Sequence, residues 1–441
     1  MKFLILNIFS VLLSVFFSLG LRGQAYTSWV VGDAADIATG NHQPGIVLAG
    51  GGGDNDDAMR WMLQRAGGGD VVVLRASGED GYNEYFFSEL GVSINSVETI
   101  RFDNAAAASD PYVVQQINNA EILFIAGGDQ YVYYQYWKDN EIENTINHLI
   151  NEKKITVGGT SAGMAILGNA YYTPPGGSAQ SATVLQNPFH PNVDLLGQND
   201  FIENPYLPLL ITDTHFDDRD RAGRLMVFLA RLSQENNGRV FAIACNEYTA
   251  VGINENGEAK VFGDHPEYPD FAYFLEVNCE SDFLPETLVD GQPLTWDNNG
   301  TAVKAYRIPG TADGSNQFNT LDWEPVGGGE WFDWYVQNGV LFQNGDAEPG
   351  CGLISDLIEI KKELNIEIKP TLVSSSFFVE IKSPVFSTNI IQVFDLLGRE
   401  LFFEKMENNF SEINISAFNS GIYLVKIVSG EKIFSEVVFK D

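Results

Sequence analysis

The chain predicts an α/β fold, a parallel sheet with flanking helices, followed by a β-rich region and a small C-terminal antiparallel β-sandwich. Three observations carry this. Short apolar runs alternate with amphipathic stretches from Gly45 to about Gly263, the pattern of strands separated by helices. Those runs are apolar almost throughout, as strands covered on both faces must be. From about Thr371 the period changes to two, the alternation of half-buried antiparallel strands.

Met1 and Lys2 precede an apolar stretch from Phe3 to Leu21, with small residues at Gly23 and Ala25, so residues 1–25 read as a cleaved signal peptide. After a polar lead-in, strands are expected at Ile46–Ala49, Val71–Arg75, Val97–Phe102, Ile122–Ala126, Ile155–Gly158, Leu209–Asp213, Val240–Ala244 and Ala250–Ile253. The intervening helices are expected at Asp56–Ala66, Glu84–Leu90, Pro111–Asn118, Glu141–Glu152, Ala162–Gly168 and Asp218–Leu232. These elements define a catalytic domain over 26–263. Residues 264–365 turn to loops, glycine and proline and hold Trp296, Trp323, Trp331 and Trp334. Clustered tryptophans either bind sugars or form the core of a small β subdomain, and the second reading is preferred. A short helix over Ile354–Leu364 leads to the last module, 371–441.

The formal charge is -33, from 59 acidic and 26 basic residues. That balance argues against nucleic acid or an anionic membrane as partner and gives a surface that attracts cations. Three cysteines, Cys245, Cys279 and Cys351, are too few for a disulfide framework or a zinc site. Cys245 sits in an apolar run and reads as core, whereas Cys279 and Cys351 bracket one segment and can pair in an oxidising compartment. No motif calls for a metal or cofactor. The run Gly50–Gly53 lacks the lysine of a phosphate loop and the spacing of a dinucleotide or calcium loop, so it reads as a structural turn.

The chemistry-bearing stretch is Gly159-Thr160-Ser161-Ala162-Gly163, a G-x-S-x-G turn between a buried strand and a helix. Small neighbours let Ser161 project from such an elbow as a nucleophile, with the Ala162 amide facing a developing oxyanion. The bland reading is a glycine turn whose serine caps the helix. A second turn, Gly127-Gly128-Asp129-Gln130, follows the strand ending at Ala126. Its amides can complete an oxyanion hole and Gln130 can reach a substrate. A serine nucleophile needs a base, and only five histidines are present. His215 closes the strand Leu209–Asp213 and so emerges at the same carboxyl edge as Ser161, where ligands bind in parallel sheets. Arg219, Arg221 and Arg224 follow it, either as surface partners of Asp217, Asp218 and Asp220 or as a carboxylate clamp.

These motifs, with Asp213-Thr214-His215-Phe216 and Asn246-Glu247-Tyr248-Thr249-Ala250, resemble the cyanophycinase and peptidase E family of serine peptidases over about residues 45–263. The resemblance implies a fold like that of the class I glutamine amidotransferases. It also implies Ser161 as nucleophile, His215 as base and Gly128 and Ala162 as oxyanion donors. Gln130, Asp213, Arg219, Arg221 and Arg224 would lie in the substrate pocket, and a peptide with an aspartyl residue would be the substrate. The chain departs from the family at Thr214, where cyanophycinases carry glutamine, and has no carboxylate between Ala162 and Val193 to serve as the acid of a triad. A neutral or loop-borne partner for His215 is therefore expected, from among Ser181, Asp194, Asp200, Glu203 and Glu247. The missing acid also motivates the rival reading of a catalytically retired hydrolase fold acting as an extracellular binding protein. Finally, Val393 to Arg399 and Ser420 to Ile427 resemble the C-terminal sorting domain of the type IX secretion system of Bacteroidetes. With the signal peptide, this implies a secreted or cell-surface protein with the secretion machinery as partner.

Overall fold

The computed structural model describes residues 24–351 except 195, 208, 209 and 281, and 366–440 except 370, 371, 382–388, 395–399, 407–409, 420, 430 and 431. The signal-peptide stretch up to Gly23, the helix expected over Ile354–Leu364 and part of the sorting motif lie outside the described residues.

Two sheets build the body. The first has ten strands, in the order Tyr26–Gly32, Ser96–Phe102, Asp70–Arg75, Ile122–Ile125, Thr156–Thr160, Gly45–Ala49, Ala250–Asn254, Glu258–Phe262, Gln317–Asn319 and Glu324–Gly327. From Ser96–Phe102 to Gly45–Ala49 the pairings are parallel, and the outer strands on both sides are antiparallel. The parallel strands are the near-continuous apolar runs: Ile46, Val47, Leu48, Val71, Val73, Leu123 and Phe124 are buried completely or nearly so. At roughly 25 cal/mol per Å² of apolar surface, such burial is the main driving force for the domain. The helices Asp56–Gln64, Pro111–Asn119 and Glu141–His148 lie close to their expected limits, and Asn55, Asp110 and Asn140 cap their first turns.

The second sheet has eight strands, in the order Val340–Gly345, Glu330–Gln337, Val303–Pro309, Phe271–Val277, Phe241–Cys245, Leu210–Asp213, Ala170–Tyr172 and Leu196–Gln198. Phe241–Cys245 and Leu210–Asp213 run parallel, so Asp213 and Cys245 end side by side. The helix Ala222–Asn236 packs Leu225, Phe228 and Leu229 into the same core as Trp296 and Trp334.

Several expectations change. Residues 264–351 are no sheet apart. Their strands extend both sheets, pairing Phe271–Val277 with Phe241–Cys245 and Gln317–Asn319 with Glu258–Phe262. The cause is that the parallel strands leave open edges, and antiparallel hairpins cover them. The four tryptophans are buried, at 0%, 2%, 9% and 1% exposure, and divide between two cores, Trp323 and Trp331 in one and Trp296 and Trp334 in the other. The helix expected over Ala162–Gly168 is only a 3-10 turn at Met164–Ile166, because a glycine-flanked stretch this short cannot propagate a helix. The helix after His215 begins at Ala222, later than expected. Among the elements hidden in the sequence are the edge strand Tyr26–Gly32 in the polar lead-in, the strand Glu258–Phe262, and the helix Gln130–Trp137, whose four tyrosines and tryptophan give little amphipathic contrast. Cys279 and Cys351 form a disulfide, and Cys245 is free and buried.

The C-terminal module pairs a three-stranded sheet (Ile366–Lys369, Ser376–Ile381, Phe410–Asn414) with a five-stranded one. Phe377, Val379 and Ile413 from the first share a core with Ile391, Val393, Val425 and Ile427 from the second. The pairing is antiparallel apart from Leu372–Val373, which runs parallel to Lys432–Lys440. No helix among the described residues is long and apolar enough to cross a membrane.

Candidate active site

Three consecutive backbone carbonyls at the carboxyl end of Gly45–Ala49 organise the site. Ala49 O accepts from Ser161 N (3.0 Å), Gly50 O from His215 N (2.8 Å) and Gly51 O from Tyr248 N (2.9 Å). Each donor lies on a turn after a different strand, so one stretch of backbone fixes three turns from two sheets. The two glycines of the elbow are there for close approach. A Cβ on Gly163 would fall 2.0 Å from Ile125 O, and one on Gly159 2.5 Å from the Gly163 carbonyl carbon.

The side chains converge in a single chain of hydrogen bonds. Ser161 Oγ lies 2.7 Å from His215 Nε2, and His215 Nδ1 bonds Glu247 Oε1. Ser161 and His215 both take left-handed backbone conformations, with φ of 52° and 47°. A non-glycine residue there stores about 1–3 kcal/mol, which the surrounding backbone bonds must hold. His215 is 6% exposed. Burial, the largest influence, holds its pKa below the ordinary histidine value of 6.5. The Glu247 hydrogen bond opposes this, and the charges of Arg219 and Arg221 add to it. The imidazole is therefore neutral at pH 7 and able to take a proton.

The orienting group is thus Glu247, a carboxylate on the turn after Phe241–Cys245 and one of the loop-borne candidates, and the neutral alternative is set aside. Ser181 is engaged elsewhere, donating to Asp220 O and accepting from Arg224 N. Asp200 takes up Tyr171 and Lys138, and Glu203 holds Asn147 and Asn151 through its backbone. The physical reason is that parallel pairing of Phe241–Cys245 with Leu210–Asp213 brings residue 247 beside residue 215, a register that spacing along the chain does not reveal. The Glu247 amide in turn donates to Asp217 Oδ1 (3.1 Å). Around Ser161, the Ala162 and Gly128 amides have no acceptor within the protein among the described residues. A Cβ on Gly127 would stand 3.5 Å from Ser161 Cβ. Both turns expected to form an oxyanion hole therefore flank the hydroxyl.

Residues 79–257 match the model of peptidase family S51. That stretch is therefore similar to peptidase family S51. Residues 363–440 match the secretion system C-terminal sorting domain, which indicates export through the type IX system to the cell surface or beyond. Cyanophycinases are among the curated proteins similar to this chain. That of Geminocystis herdmanii is 26% identical over 215 residues, 48% of this chain and 65% of its own length. That of Synechococcus elongatus is 26% identical over 180 residues, 40% of this chain and 49% of its own. The chain thus spans about half to two thirds of the length of the curated relatives it matches. Among solved structures, a peptidase from an acI-B1 actinobacterium is 12% identical with a TM-score of 0.39, covering 64% of this chain and 98% of its own. A putative peptidase E from Listeria monocytogenes is 13% identical with a TM-score of 0.29, covering 50% and 97%.

Within the S51 segment the three arginines behave differently. Arg224 is buried and held by Asp213, with Nε 2.9 Å from Oδ2 and a second contact through Nη2, while Nη1 reaches Ser178 Oγ (2.7 Å). Arg221 Nη1 binds Thr214 O (2.6 Å) and Oγ1 (2.9 Å) and lies 3.7 Å from Asp213. Burial and the neighbouring Arg224 hold its pKa down to about 10, which still leaves it charged. Asp213, Arg221 and Arg224 are therefore tied to one another beneath the site, and the clamp expected of them is already closed on the protein's own carboxylate. Thr214, in the place of the family's glutamine, belongs to this lock. Arg219 alone is exposed, with no ion pair among the described residues. Gln130 is partly exposed at the start of the helix after Gly128.

Sequence reasoning missed the part played by Gly50–Gly53. A Cβ on Gly51 (φ 97°) would fall 2.6 Å from His215 Cε1 and Nε2 and 3.0 Å from Ser161 Cβ, and one on Gly52 would fall 2.6 Å from Glu247 Oε2. The signal was present, since three glycines in succession at the carboxyl end of a buried parallel strand mark a close approach. The other histidines make local contacts: His42 with Lys153 O, His148 with Glu152, His190 with Asn192 N and His265 with the Phe271 ring.

Proposed function

We propose that the protein is a secreted serine exopeptidase that hydrolyses aspartyl or β-aspartyl peptide bonds. The observation that carries the reading is the continuous Ser161–His215–Glu247 hydrogen-bond chain. Ser161 Oγ attacks the scissile carbonyl while His215 Nε2 takes its proton. Glu247 holds the Nδ1–H tautomer and stabilises the imidazolium that forms. The oxyanion settles against the Ala162 and Gly128 amides, each worth roughly 3 kcal/mol in the transition state. His215 then returns the proton to the leaving amine, and a water molecule cleaves the acyl-enzyme by the same route in reverse. Because the acid is supplied by Glu247, the rationale for a retired hydrolase fold falls away.

Arg219 supports an acidic group on the substrate, being an exposed cation with no ion pair among the described residues and a charge that is felt at His215. Gln130 would meet the substrate from the opposite turn. The surrounding negative charge suits a cationic remainder on the substrate. The signal peptide and sorting module together suit a Gram-negative host of the Bacteroidetes. A fluorophosphonate probe tests the nucleophile: the wild type should label and Ser161→Ala should not. On α- and β-aspartyl dipeptides, Arg219→Ala should raise KM by about tenfold, the loss of one charge-assisted contact. Equal labelling of Ser161→Ala would overturn the peptidase reading, and an unchanged KM would overturn the role of Arg219.

A further inference from the structure

The chemistry above leaves one carboxyl beside the glycine loop unused. Asp54 follows Gly53 directly, and its Oδ2 accepts a hydrogen bond from the Tyr82 hydroxyl at 2.6 Å. Its Oδ1 is sealed from solvent without a hydrogen-bond partner. Tyr82 is itself wedged between aromatic rings, with centroids 5.1 Å from Phe86 and 5.0 Å from Phe124. The loop whose carbonyls hold the turns of Ser161, His215 and Tyr248 is thus fixed at its start by a central strand. At its end it is fixed by this contact and by Asn55, which caps the next helix. An ionised carboxylate with one oxygen stripped of partners carries a desolvation cost that the Tyr82 bond repays only in part, which favours the neutral acid. Burial raises the pKa of Asp54 in the same sense, against smaller opposing pulls from Tyr82 and Thr160.

We propose that Asp54, as a neutral acid bonded to Tyr82, is a positioning residue that sets the place of the Gly50–Gly53 loop and so the geometry of Ser161, His215 and Glu247. The proposal rests on the peptidase reading of that hydrogen-bond chain. Its physical content is a strut. Gly51 covers the His215 ring and Gly52 lies against Glu247, so a loop released from Tyr82 would open both contacts and admit water to the imidazole. Among the charged groups facing His215, Glu247 favours protonation and Arg219 and Arg221 oppose it. Burial, the largest influence, is the one that the loop supplies. Losing that cover moves the histidine back towards its ordinary value.

The test uses the full chain with Asp54→Ala, Asp54→Asn and Tyr82→Phe. NMR titration of the His215 ring, assigned by its absence from His215→Ala, reads the geometry without requiring turnover. Fluorophosphonate labelling reads the nucleophile. Asp54→Ala should raise the His215 pKa by roughly half a unit or more and slow labelling by about tenfold. Asp54→Asn, a neutral isostere that still accepts from Tyr82, should stay near wild type in both, and Tyr82→Phe should shift both in the direction of Asp54→Ala. If Asp54→Ala fails to fold, the contrast between Asp54→Asn and Tyr82→Phe carries the test. A wild-type titration and labelling rate in Asp54→Ala would overturn the proposal, as would Asp54→Asn damaged as badly as Asp54→Ala, since the charge would then be needed. Absence of labelling in every protein, wild type included, would sink the peptidase reading, and the His215 titration would still decide for or against Asp54.

Discussion

The carboxyl edges of the two sheets supply different materials to one site. On the ten-stranded side the turns after Ile122–Ile125, Thr156–Thr160 and Gly45–Ala49 are made of glycine and offer mostly backbone: free amides at Gly128 and Ala162, and carbonyls at Ala49, Gly50 and Gly51. The eight-stranded side offers side chains, with His215 after Leu210–Asp213 and Glu247 after Phe241–Cys245. Ser161 is the side chain that crosses from the first edge to the second. The lesson is a division of labour. A rigid backbone cradle suits an oxyanion, which needs donors that do not reorganise, and a proton relay needs titratable groups held at fixed separations. The second edge also keeps its two carboxylates apart in role, Glu247 on the histidine and Asp213 on the arginines.

The largest expected effect on this division of labour is at Glu247. Glu247→Gln preserves size but removes the charge that holds the correct tautomer, so kcat should fall by about 10⁴-fold. Asp213→Asn, on the same edge, should lower the melting temperature through the buried Arg224 with much less effect on kcat at temperatures well below the transition. Steady-state kinetics and thermal melts on the two variants decide. Should Asp213→Asn abolish activity and Glu247→Gln retain it, the assignment of roles on this edge is reversed.

Next in size is the backbone side. Gly51→Ala adds one methyl group, which must displace His215 or Ser161 from contacts of 2.6 and 3.0 Å, at a φ of 97° that alanine resists. A shift of that order between reacting groups costs about 10²-fold in kcat. Because substrate groups are not touched, KM should change little. An active Gly51→Ala enzyme would mean that the cradle is looser than its contacts suggest.

Much of this was legible before the structure. Ser161 and His215 stood out because each follows a near-continuous apolar run, but the single sheet edge expected for both is in fact the carboxyl edges of two sheets that meet at the site. Glu247 was visible only as one candidate of several. Its partnership with His215 depends on which strands are neighbours, and the strands ending at Asp213 and Cys245 are separated by a whole helix. The arginines misled for the opposite reason. Their spacing along one helix marked them as a set, yet two of them are paired with Asp213, which spacing places on a strand and not beneath them. The expected break after Gly263 failed because a change in composition marks a change of strand type, and antiparallel hairpins can finish a sheet that parallel strands began.

The smallest expected effect on catalysis concerns those finishing strands. The eight-stranded sheet is closed by the Cys279–Cys351 bridge, whereas the ten-stranded sheet has none among the described residues. Residues 346–351 lie over buried charge: the Lys304 ammonium donates to Glu348 O (3.2 Å) and pairs with Asp333 (2.8 Å), and Gly350 packs directly on Glu276. Glu276 is paired in register with Phe241, the first residue of the strand that ends near Glu247. The bridged segment therefore lies at the amino end of that strand, opposite the site. Replacing both cysteines with serine should lower stability by up to about 4 kcal/mol, the loop-closure value for a separation of 72 residues. The kcat at temperatures well below the transition should stay at the wild-type value, and differential scanning calorimetry with parallel kinetics measures both. A fall in kcat without unfolding would mean that the late strands transmit to His215, for which the stack of Phe216 on Trp334 is the available route. The division between a catalytic edge and a structural end of the eight-stranded sheet would then have to be given up.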